Sequence, residues 1–390
     1  MLYLFKNIKN KEIYNLLLNY QDKNLNELKS LLYDFSLKNS LDGNILKKYI
    51  LFTFIYNENY YTLKLERNKK SDLNLDALDN DLNEFYKLYN LNINLDELND
   101  FKLKNTSNLS IILDKMINKI NSYDSFKKEI INYYKINGVG DISLYKAFRI
   151  NDSKLCPIEH VLNVSFDDLI GYDLQKELLI ENTINFINNK PYNNVLLYGD
   201  SGTGKSTSIK ALINKFFDKG LRIIEIYKHE IEKISQIISK LKERPYHFII
   251  YMDDLSFEES EVEYKYLKSV IEGGIEEKPS NVVVYATSNR RHLIKETFKD
   301  NGDVFDDLHR NETQAEKLSL AYRFGLQIYY GSLSPEEFRN MVKELAERND
   351  INLDEKTLIL EASKFELTYG SLSGRCAQQF ISYIANKYNK

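Results

Sequence analysis

Residues 199–206 have the composition and spacing of a phosphate-binding loop. The run Gly-Asp-Ser-Gly-Thr-Gly-Lys-Ser matches the pattern Gly-x-x-x-x-Gly-Lys-Ser/Thr. Glycines let successive backbone N–H groups turn toward one anion, and the start of a following helix adds the positive end of its dipole. In this pattern Lys205 reaches the β- and γ-phosphates, and Ser206 ligates Mg²⁺. The predicted phosphate contacts are Asp200, Ser201, Gly202, Thr203, Gly204, Lys205, Ser206 and Thr207.

Two adjacent carboxylates, Asp253 and Asp254, follow the apolar run 248–252. At the end of a buried strand the first acid is expected to hold Mg²⁺ together with Ser206. The second acid is then placed to polarise an attacking water. Glutamate is usual in that second position, and the shorter reach of aspartate predicts slower hydrolysis with nucleotide binding left intact. The alternative is that both acids cap the start of the next helix, where carboxylates are common.

A third polar group, Asn289, ends the apolar run that begins at Val282. In this order of strands it is expected beside the γ-phosphate, where its amide would orient water. The alternative is an ordinary turn, because Thr, Ser and Asn are frequent turn residues.

These groups need a framework of alternating strands and helices, and the sequence shows one from about Asn163. Short apolar or β-branched runs of this kind predict parallel strands buried on both faces. The predicted strands are 194–198, 221–226, 247–252, 282–286 and 326–329. The predicted helices are 205–218, 230–241, 259–272 and 290–298. Beyond residue 330, Ser334 and Pro335 open a helical tail that is expected to form a small lid.

The first 160 residues have a different sequence pattern. They contain few glycines, and their apolar residues recur at helical spacing. The predicted helices are 12–20, 25–37, 45–56, 75–89, 111–120 and 126–134. We therefore expect an α-helical domain over 1–150, a linker over 151–164, an α/β nucleotide-binding core over 165–331 and a helical lid over 332–390.

Composition excludes several classes of protein. Hydrophobic residues make up 43% and charged residues 28% of the chain, which is typical of a folded globular protein. The net charge is -4, and residues 1–160 hold 23 basic against 21 acidic residues, so a duplex-DNA binder is disfavoured. No apolar run approaches the roughly 18 residues of a membrane span, and the first residues lack a secretory pattern. We expect a cytoplasmic protein without membrane segments.

Arginine is scarce, with 11 arginines against 42 lysines. A guanidinium near a nucleotide site then suggests bidentate phosphate contact, which lysine cannot reproduce. The alternative is an ordinary surface ion pair. The candidates are Arg290, Arg291, Arg310, Arg323 and Arg375.

Over residues 165–388 the motifs and their order resemble the AAA+ superfamily of P-loop ATPases. The run Phe-Asp-Asp-Leu-Ile-Gly-Tyr-Asp from Phe166 is similar to the segment that packs on adenine, which implies base contacts. The residues so implied are Leu169, Ile170, Gly171 and Tyr172. Asn289 matches sensor 1, and Arg323 matches the arginine finger that reaches a neighbouring subunit's ATP. Arg375 matches sensor 2 in the lid.

More narrowly, several strings resemble the bacterial family catalogued as domain of unknown function 815. They are Tyr-Gly-Asp-Ser-Gly-Thr-Gly-Lys-Ser, Met-Asp-Asp-Leu-Ser-Phe-Glu-Glu, Glu-Gly-Gly-Ile-Glu, Tyr-Ala-Thr-Ser-Asn-Arg-Arg-His-Leu and Glu-Lys-Leu-Ser-Leu-Ala-Tyr-Arg-Phe-Gly-Leu. The resemblance implies a three-layer parallel α/β fold with a helical lid, preceded by a helical region. It also implies ATP and Mg²⁺ as cofactors and ATP hydrolysis as the activity.

Three functions remain open on the sequence. The first is an ATPase that drives conformational change in itself or a partner and forms a homo-oligomer through Arg323. The second is an ATP-dependent switch or scaffold with little turnover, which signals through Arg375 to a protein partner of the N-terminal helices. The third is a nucleic-acid helper ATPase of the helicase-loader type, which the near-neutral charge disfavours. Residues 227–246 lack the aromatic-apolar-glycine loop of ring unfoldases, so a threading unfoldase is also disfavoured.

Overall fold

The computed structural model describes residues 2–67, 75–151, 154–257, 261–272, 279–289, 293 and 320–388. The chain divides into two compact units. The first comprises Met1–Tyr145 with Glu243–Pro245, and the second comprises Lys146–Lys242 with Tyr246–Lys390.

The first unit is helical, as predicted. Its helices are α1 (Lys11–Leu18), α2 (Leu25–Asn39), α3 (Ile45–Tyr56), α4 (Tyr60–Glu66), α5 (Leu75–Tyr89), α6 (Asp96–Asn99), α7 (Asn108–Ile117), α8 (Tyr123–Asn137) and α9 (Asp141–Leu144). Three of them, α4, α6 and α9, are short helices that the sequence pattern does not predict. Helix α4 has seven residues and begins in a capping box between Asn59 and Thr62. Such a cap stabilises a short helix by satisfying backbone N–H groups that the helix leaves open.

Aromatic rings from different helices meet in the core of this unit. Phe54 of α3 lies edge-on to Phe5 and to Phe85, with ring centroids 4.8 Å apart in both pairs. Phe126 of α8 also meets Phe54 edge-on at 5.8 Å. This geometry brings the positive edge of one ring to the negative face of another. These four phenylalanines of the first unit thus serve as core.

The chain before α1 is held in place by one buried carboxylate. Asp81 of α5 is fully buried, and it accepts hydrogen bonds from the backbone N–H groups of Tyr3, Leu4 and Phe5 at 2.7–3.1 Å. A buried carboxylate requires donors of this kind to replace lost water. Asp81 therefore anchors the irregular segment that carries Phe5 into the core.

Replacing Asp81 with Asn should release this segment, because the amide offers one acceptor oxygen and no charge to three N–H groups. Hydrogen bonds to charged groups contribute about 2 kcal/mol. We expect the Tyr3, Leu4 and Phe5 amides to exchange with deuterium roughly 30-fold faster in Asp81→Asn. Asp34→Asn, at an exposed position of α2, is the control. Equal protection in both variants would contradict the anchoring role.

The second unit is built on a seven-stranded sheet. The strands are β1 (Ala147–Asn151), β2 (Lys154–Ile158), β3 (Val195–Gly199), β4 (Leu221–Glu225), β5 (His247–Met252), β6 (Val282–Ser288) and β7 (Leu326–Tyr330). Their order is β2-β1-β4-β5-β6-β3-β7, and only the β1–β2 pair is antiparallel. Strands β3 to β7 confirm the five predicted strands. Because they are parallel, their carboxyl ends share one edge of the sheet.

Strands β1 and β2 lie in a region that the sequence analysis assigns to the helical domain and to a linker over 151–164. The structure extends the sheet through this region instead. Ala147, Phe148 and Ile150 are buried, and β1 pairs with β4. Pro157 lies in β2 at the edge of the sheet, where a missing N–H costs no internal hydrogen bond. A five-residue strand containing proline gives too weak a pattern to be predicted.

Helices flank the sheet and follow it. They are α10 (Asp173–Ile187), α11 (Lys205–Phe216), α12 (Ile234–Leu241), α13 (Glu263–Glu272), α14 (Pro335–Arg348), α15 (Glu355–Tyr369) and α16 (Gly374–Tyr388). The predicted helix 290–298 lies outside the described residues apart from Leu293. One face of the sheet packs against α10 and α11 through residues such as Leu197, Ile249 and Ile209. Residues of the opposite face, including Ile250 and Val284, are also buried.

The last three helices pack on each other as the predicted lid. Their core includes Phe338 of α14, Ala362 of α15 and Phe380 of α16. Ser334 accepts a hydrogen bond from the Glu337 N–H in a capping box, with proline in the first turn, which confirms the predicted start of α14. Among the helices of the described residues, none has the length and apolar character needed to cross a membrane.

Candidate nucleotide site

The loop between β3 and α11 depends on glycine for its shape. Gly202 and Gly204 have φ of 79° and 94°, a region that side chains disfavour. A Cβ at Gly202 would lie 2.9 Å from the Cβ of Arg375, and one at Gly204 would lie 3.0 Å from Leu169. The loop thus packs between the lid and the segment before α10.

The side chain of Lys205 lies against its own loop. Its Nζ donates to the carbonyl oxygens of Gly199 at 2.9 Å and Asp200 at 2.5 Å. Burial lowers the pKa of Lys205 below its ordinary value, while the carboxylates of Asp200, Asp254 and Asp253 oppose that change. The ammonium group therefore stabilises the loop in a form that presents a positive charge to the cavity.

Ser206 and Asp253 meet at the first turn of α11. The Ser206 hydroxyl donates to Asp253 Oδ1 at 2.6 Å. Partial burial acts to raise the pKa of Asp253, but the hydroxyls of Ser206, Thr287 and Tyr251 together with the charge of Lys210 outweigh it, and the pKa lies below its ordinary value. An ionised carboxylate beside a hydroxyl is the kind of oxygen donor set that suits Mg²⁺. These two residues fit the predicted metal site.

Thr287 joins both acids to the neighbouring strand, a role that the sequence analysis missed. Its hydroxyl donates to Asp253 Oδ1 at 2.6 Å and accepts the Asp254 N–H at 2.9 Å. Asp254 has φ of 49°, a left-handed backbone that is uncommon outside glycine. The bond from its N–H to Thr287 holds it in that conformation. The available signal was a run of hydroxyl residues at the end of β6.

Asp254 and Asn289 are also in contact. The Asn289 side-chain amide donates to Asp254 Oδ1 at 2.8 Å. The structure thus places the residues predicted to handle water side by side, at the carboxyl ends of β5 and β6.

A cavity of about 450 Å³ collects most of the predicted site residues. Those that line it are Leu169, Ile170, Tyr172, Ser201, Gly202, Thr203, Gly204, Lys205, Ser206, Thr207, Asp253, Asp254, Asn289 and Arg375. Gly171, Asp200 and Arg323 are outside the described lining of this cavity. Asp200 instead turns its carboxylate to Ser332, accepting from the N–H at 2.8 Å and from the hydroxyl at 2.7 Å.

One end of the cavity is apolar. Leu169, Ile170 and Tyr172 line it together with Met341 and Leu345 of the lid helix α14. The Tyr172 hydroxyl donates to the Gly331 carbonyl at 2.8 Å, which fixes the ring. The two lid residues escaped sequence analysis because apolar positions of a helix ordinarily indicate core. Such a wall is chemically suited to the flat apolar faces of a nucleobase.

Arg375 and Arg323 occupy different surroundings. The backbone N–H of Arg375 donates to the Gly202 carbonyl at 3.1 Å, and its guanidinium approaches Ser201 Oγ at 3.5 Å. Arg323 forms an ion pair with Glu272 at the end of α13. Arg290, Arg291 and Arg310 lie outside the described residues.

Replacing Thr287 with Val should destabilise the second unit, because the partly buried N–H of Asp254 and the carboxylate of Asp253 both lose a partner without a change in side-chain shape. An unsatisfied buried group costs about 1–3 kcal/mol. We expect a lower midpoint of thermal unfolding for Thr287→Val. Thr287→Ser keeps the hydroxyl and should lose much less. Equal midpoints for the Val and Ser variants would show that the hydroxyl has no such role.

Comparisons with solved structures find RuvB proteins of Thermotoga maritima. A single-substitution mutant of RuvB is 15% identical, with a TM-score of 0.40, and the match covers 58% of this chain and 65% of that chain. The RuvB Holliday junction branch migration motor is 14% identical, with a TM-score of 0.34, and the match covers 58% and 72%. This chain thus spans less than two thirds of the first RuvB chain, and likeness at this level says nothing about activity. No curated protein matches.

The family described as "Protein of unknown function (DUF815)" matches residues 143–388, well over half of the 390 residues. The match includes the glycine loop, both acids and the lid. With this match the chain belongs to the DUF815 family, and its mostly parallel sheet, with the glycine loop after β3 and a helical lid, has the three-layer α/β architecture that the sequence predicts.

Proposed function

We propose that the chain binds Mg-ATP and hydrolyses it to ADP and phosphate, and that this drives conformational change in itself or a partner. The observation that carries the proposal is that one cavity is lined by the glycine loop, both acids, Asn289 and the lid arginine. These groups come from four separate parts of the chain, and each has a distinct use in phosphoryl transfer to water.

The loop amides and Lys205 bind the phosphates, and Lys205 exchanges its two carbonyl partners for phosphate oxygens. Ser206 and Asp253 hold Mg²⁺, which neutralises charge on the phosphate oxygens when it is bound. Asp254 accepts a proton from the attacking water, and Asn289 orients that water. The hydrogen bond between Asp254 and Asn289 holds these two side chains together, which supports a shared role toward the water.

The lid responds to the nucleotide through Arg375. Its backbone is bonded to the loop at Gly202 and its guanidinium lies near Ser201. A guanidinium at this position gains phosphate contacts when a triphosphate is bound and loses them after hydrolysis and release. Such a difference in phosphate contacts would shift the orientation of the lid helices α14 to α16.

Arg323 acts on a neighbouring subunit in this proposal. Within one chain it pairs with Glu272 and is separate from the described cavity lining. A homo-oligomer that brings Arg323 to the next subunit's γ-phosphate would couple turnover to assembly.

A second candidate is an ATP-dependent switch with little turnover. The Asn289 amide donates to Asp254 Oδ1, and aspartate reaches less far than glutamate. An acid held in this way supports nucleotide binding without fast proton abstraction. Partners of the N-terminal helices would then respond to binding alone.

ATP turnover measured against protein concentration separates the two candidates. The wild type should show turnover that rises cooperatively with concentration. Asp254→Ala should bind ATP normally and lose turnover by about 100-fold or more. Arg323→Ala should also bind ATP and lose about 1,000-fold. Tight ATP binding with no turnover at any concentration would reject hydrolysis and leave the switch.

Two controls test the trans role of Arg323. Glu272→Gln breaks the ion pair but keeps the arginine, so it should retain turnover. Mixing Asp254→Ala with Arg323→Ala should restore part of the turnover, because one interface then joins an intact acid to an intact arginine. If mixing restores nothing, or if Glu272→Gln loses as much as Arg323→Ala, the trans role is wrong.

A further inference from the structure

A buried tyrosine hydroxyl lies behind the metal-site carboxylate. Tyr251 is in β5, which ends at Met252, and it lies two residues before Asp253. Tyr251 is only 2% exposed, and its hydroxyl has no hydrogen bond of normal geometry to any described residue. A buried hydroxyl without a partner is unfavourable, so its presence needs a reason.

Other tyrosines of the same sheet face have partners. The Tyr285 hydroxyl lies 2.9 Å from Thr183 Oγ1, and the Tyr330 hydroxyl donates to Ser208 at 3.0 Å. Both rings belong to the same buried cluster as Tyr251. The remaining residues of β5 that reach the core, such as Ile249, are apolar, and phenylalanine would fill the space at 251 equally well. The hydroxyl is the feature that packing does not explain.

The hydroxyl of Tyr251 faces the metal-site groups. Burial first, and then the charge of Asp253, raise the pKa of Tyr251 above its usual range, and the Ser206 and Thr287 hydroxyls are also its neighbours. Those two hydroxyls both donate to Oδ1 of Asp253. Oδ2 receives neither of these bonds, so Asp253 retains acceptor capacity beside the Tyr251 hydroxyl.

We propose that Tyr251 is a positioning residue for the metal site, whose hydroxyl donates to Asp253 when Mg²⁺ is held by Ser206 and Asp253. The inference rests on the proposed function. Groups that orient a metal ligand raise metal affinity without touching the metal, and their removal typically weakens binding 10- to 100-fold. Here the Tyr251 hydroxyl would add a third hydrogen bond to the Asp253 carboxylate, which otherwise accepts from the Ser206 and Thr287 hydroxyls at Oδ1.

The test is the Mg²⁺ dependence of nucleotide binding by Tyr251→Phe in the full chain. The probe is a fluorescent, non-hydrolysable ATP analogue, titrated with Mg²⁺ and also measured in excess chelator. We expect the half-saturating Mg²⁺ concentration to rise about 10-fold. Binding without Mg²⁺ should stay the same, and the midpoint of thermal unfolding should not fall, because the Tyr251 hydroxyl forms no hydrogen bond of normal geometry to a described residue that its removal would break.

Tyr285→Phe is the matched control, because Tyr285 pairs with Tyr251 in register while its hydroxyl bonds to α10. It should lower thermal stability and leave the Mg²⁺ dependence unchanged. An unchanged Mg²⁺ requirement in Tyr251→Phe overturns the inference, and so does an equal rise in Tyr285→Phe, which would indicate packing alone. If the wild type itself binds the analogue without any Mg²⁺ dependence, the proposed metal site fails as well.

Discussion

The geometry of Asp253 and Asp254 in the cavity depends on two hydrogen bonds of the Thr287 hydroxyl. This hydroxyl donates to the Asp253 carboxylate and accepts the N–H of Asp254, so one side chain of β6 fixes two consecutive residues beyond β5. A carboxylate that has lost part of its water needs such donors to remain ionised. The left-handed backbone of Asp254 needs a partner for its N–H as well. Because parallel strands end at one edge, β6 can meet both needs at once.

The glycine loop is the second part of the site whose position is fixed by hydrogen bonds, and one of these bonds joins it directly to the lid. The carbonyl of Gly202 accepts the N–H of Arg375, and the two residues approach so closely that a Cβ would not fit at 202. Asp200 adds a tie between the loop and Ser332, just before α14. Movement of the phosphate-binding loop and movement of the lid are therefore mechanically linked, whatever the rate of the chemistry.

Sequence reasoning located the loop, the two acids and Asn289 because each lies at the end of a strand, where local pattern and chemistry coincide. It missed Thr287 because a hydroxyl at a strand end is ordinary until its partners are known. The contribution of Met341 and Leu345 to the cavity could not be predicted for another reason, because only the folding of the lid brings these helix positions to residues 169–172. Strands β1 and β2 were missed because their polar and apolar residues are mixed and β2 contains proline, and the pairing of β1 with β4 is non-local.

The bonds of Lys205 to Gly199 and Asp200 make recognition at this loop an exchange reaction. An incoming anion must replace two carbonyl oxygens that already satisfy the ammonium group, so a weakly charged ligand gains little. A polyphosphate offers several charged oxygens to the same nitrogen and recovers the loss. Under the proposed function, the loop would therefore favour ligands with a high density of negative charge. Inorganic anions and nucleoside monophosphates are expected to compete poorly with a triphosphate.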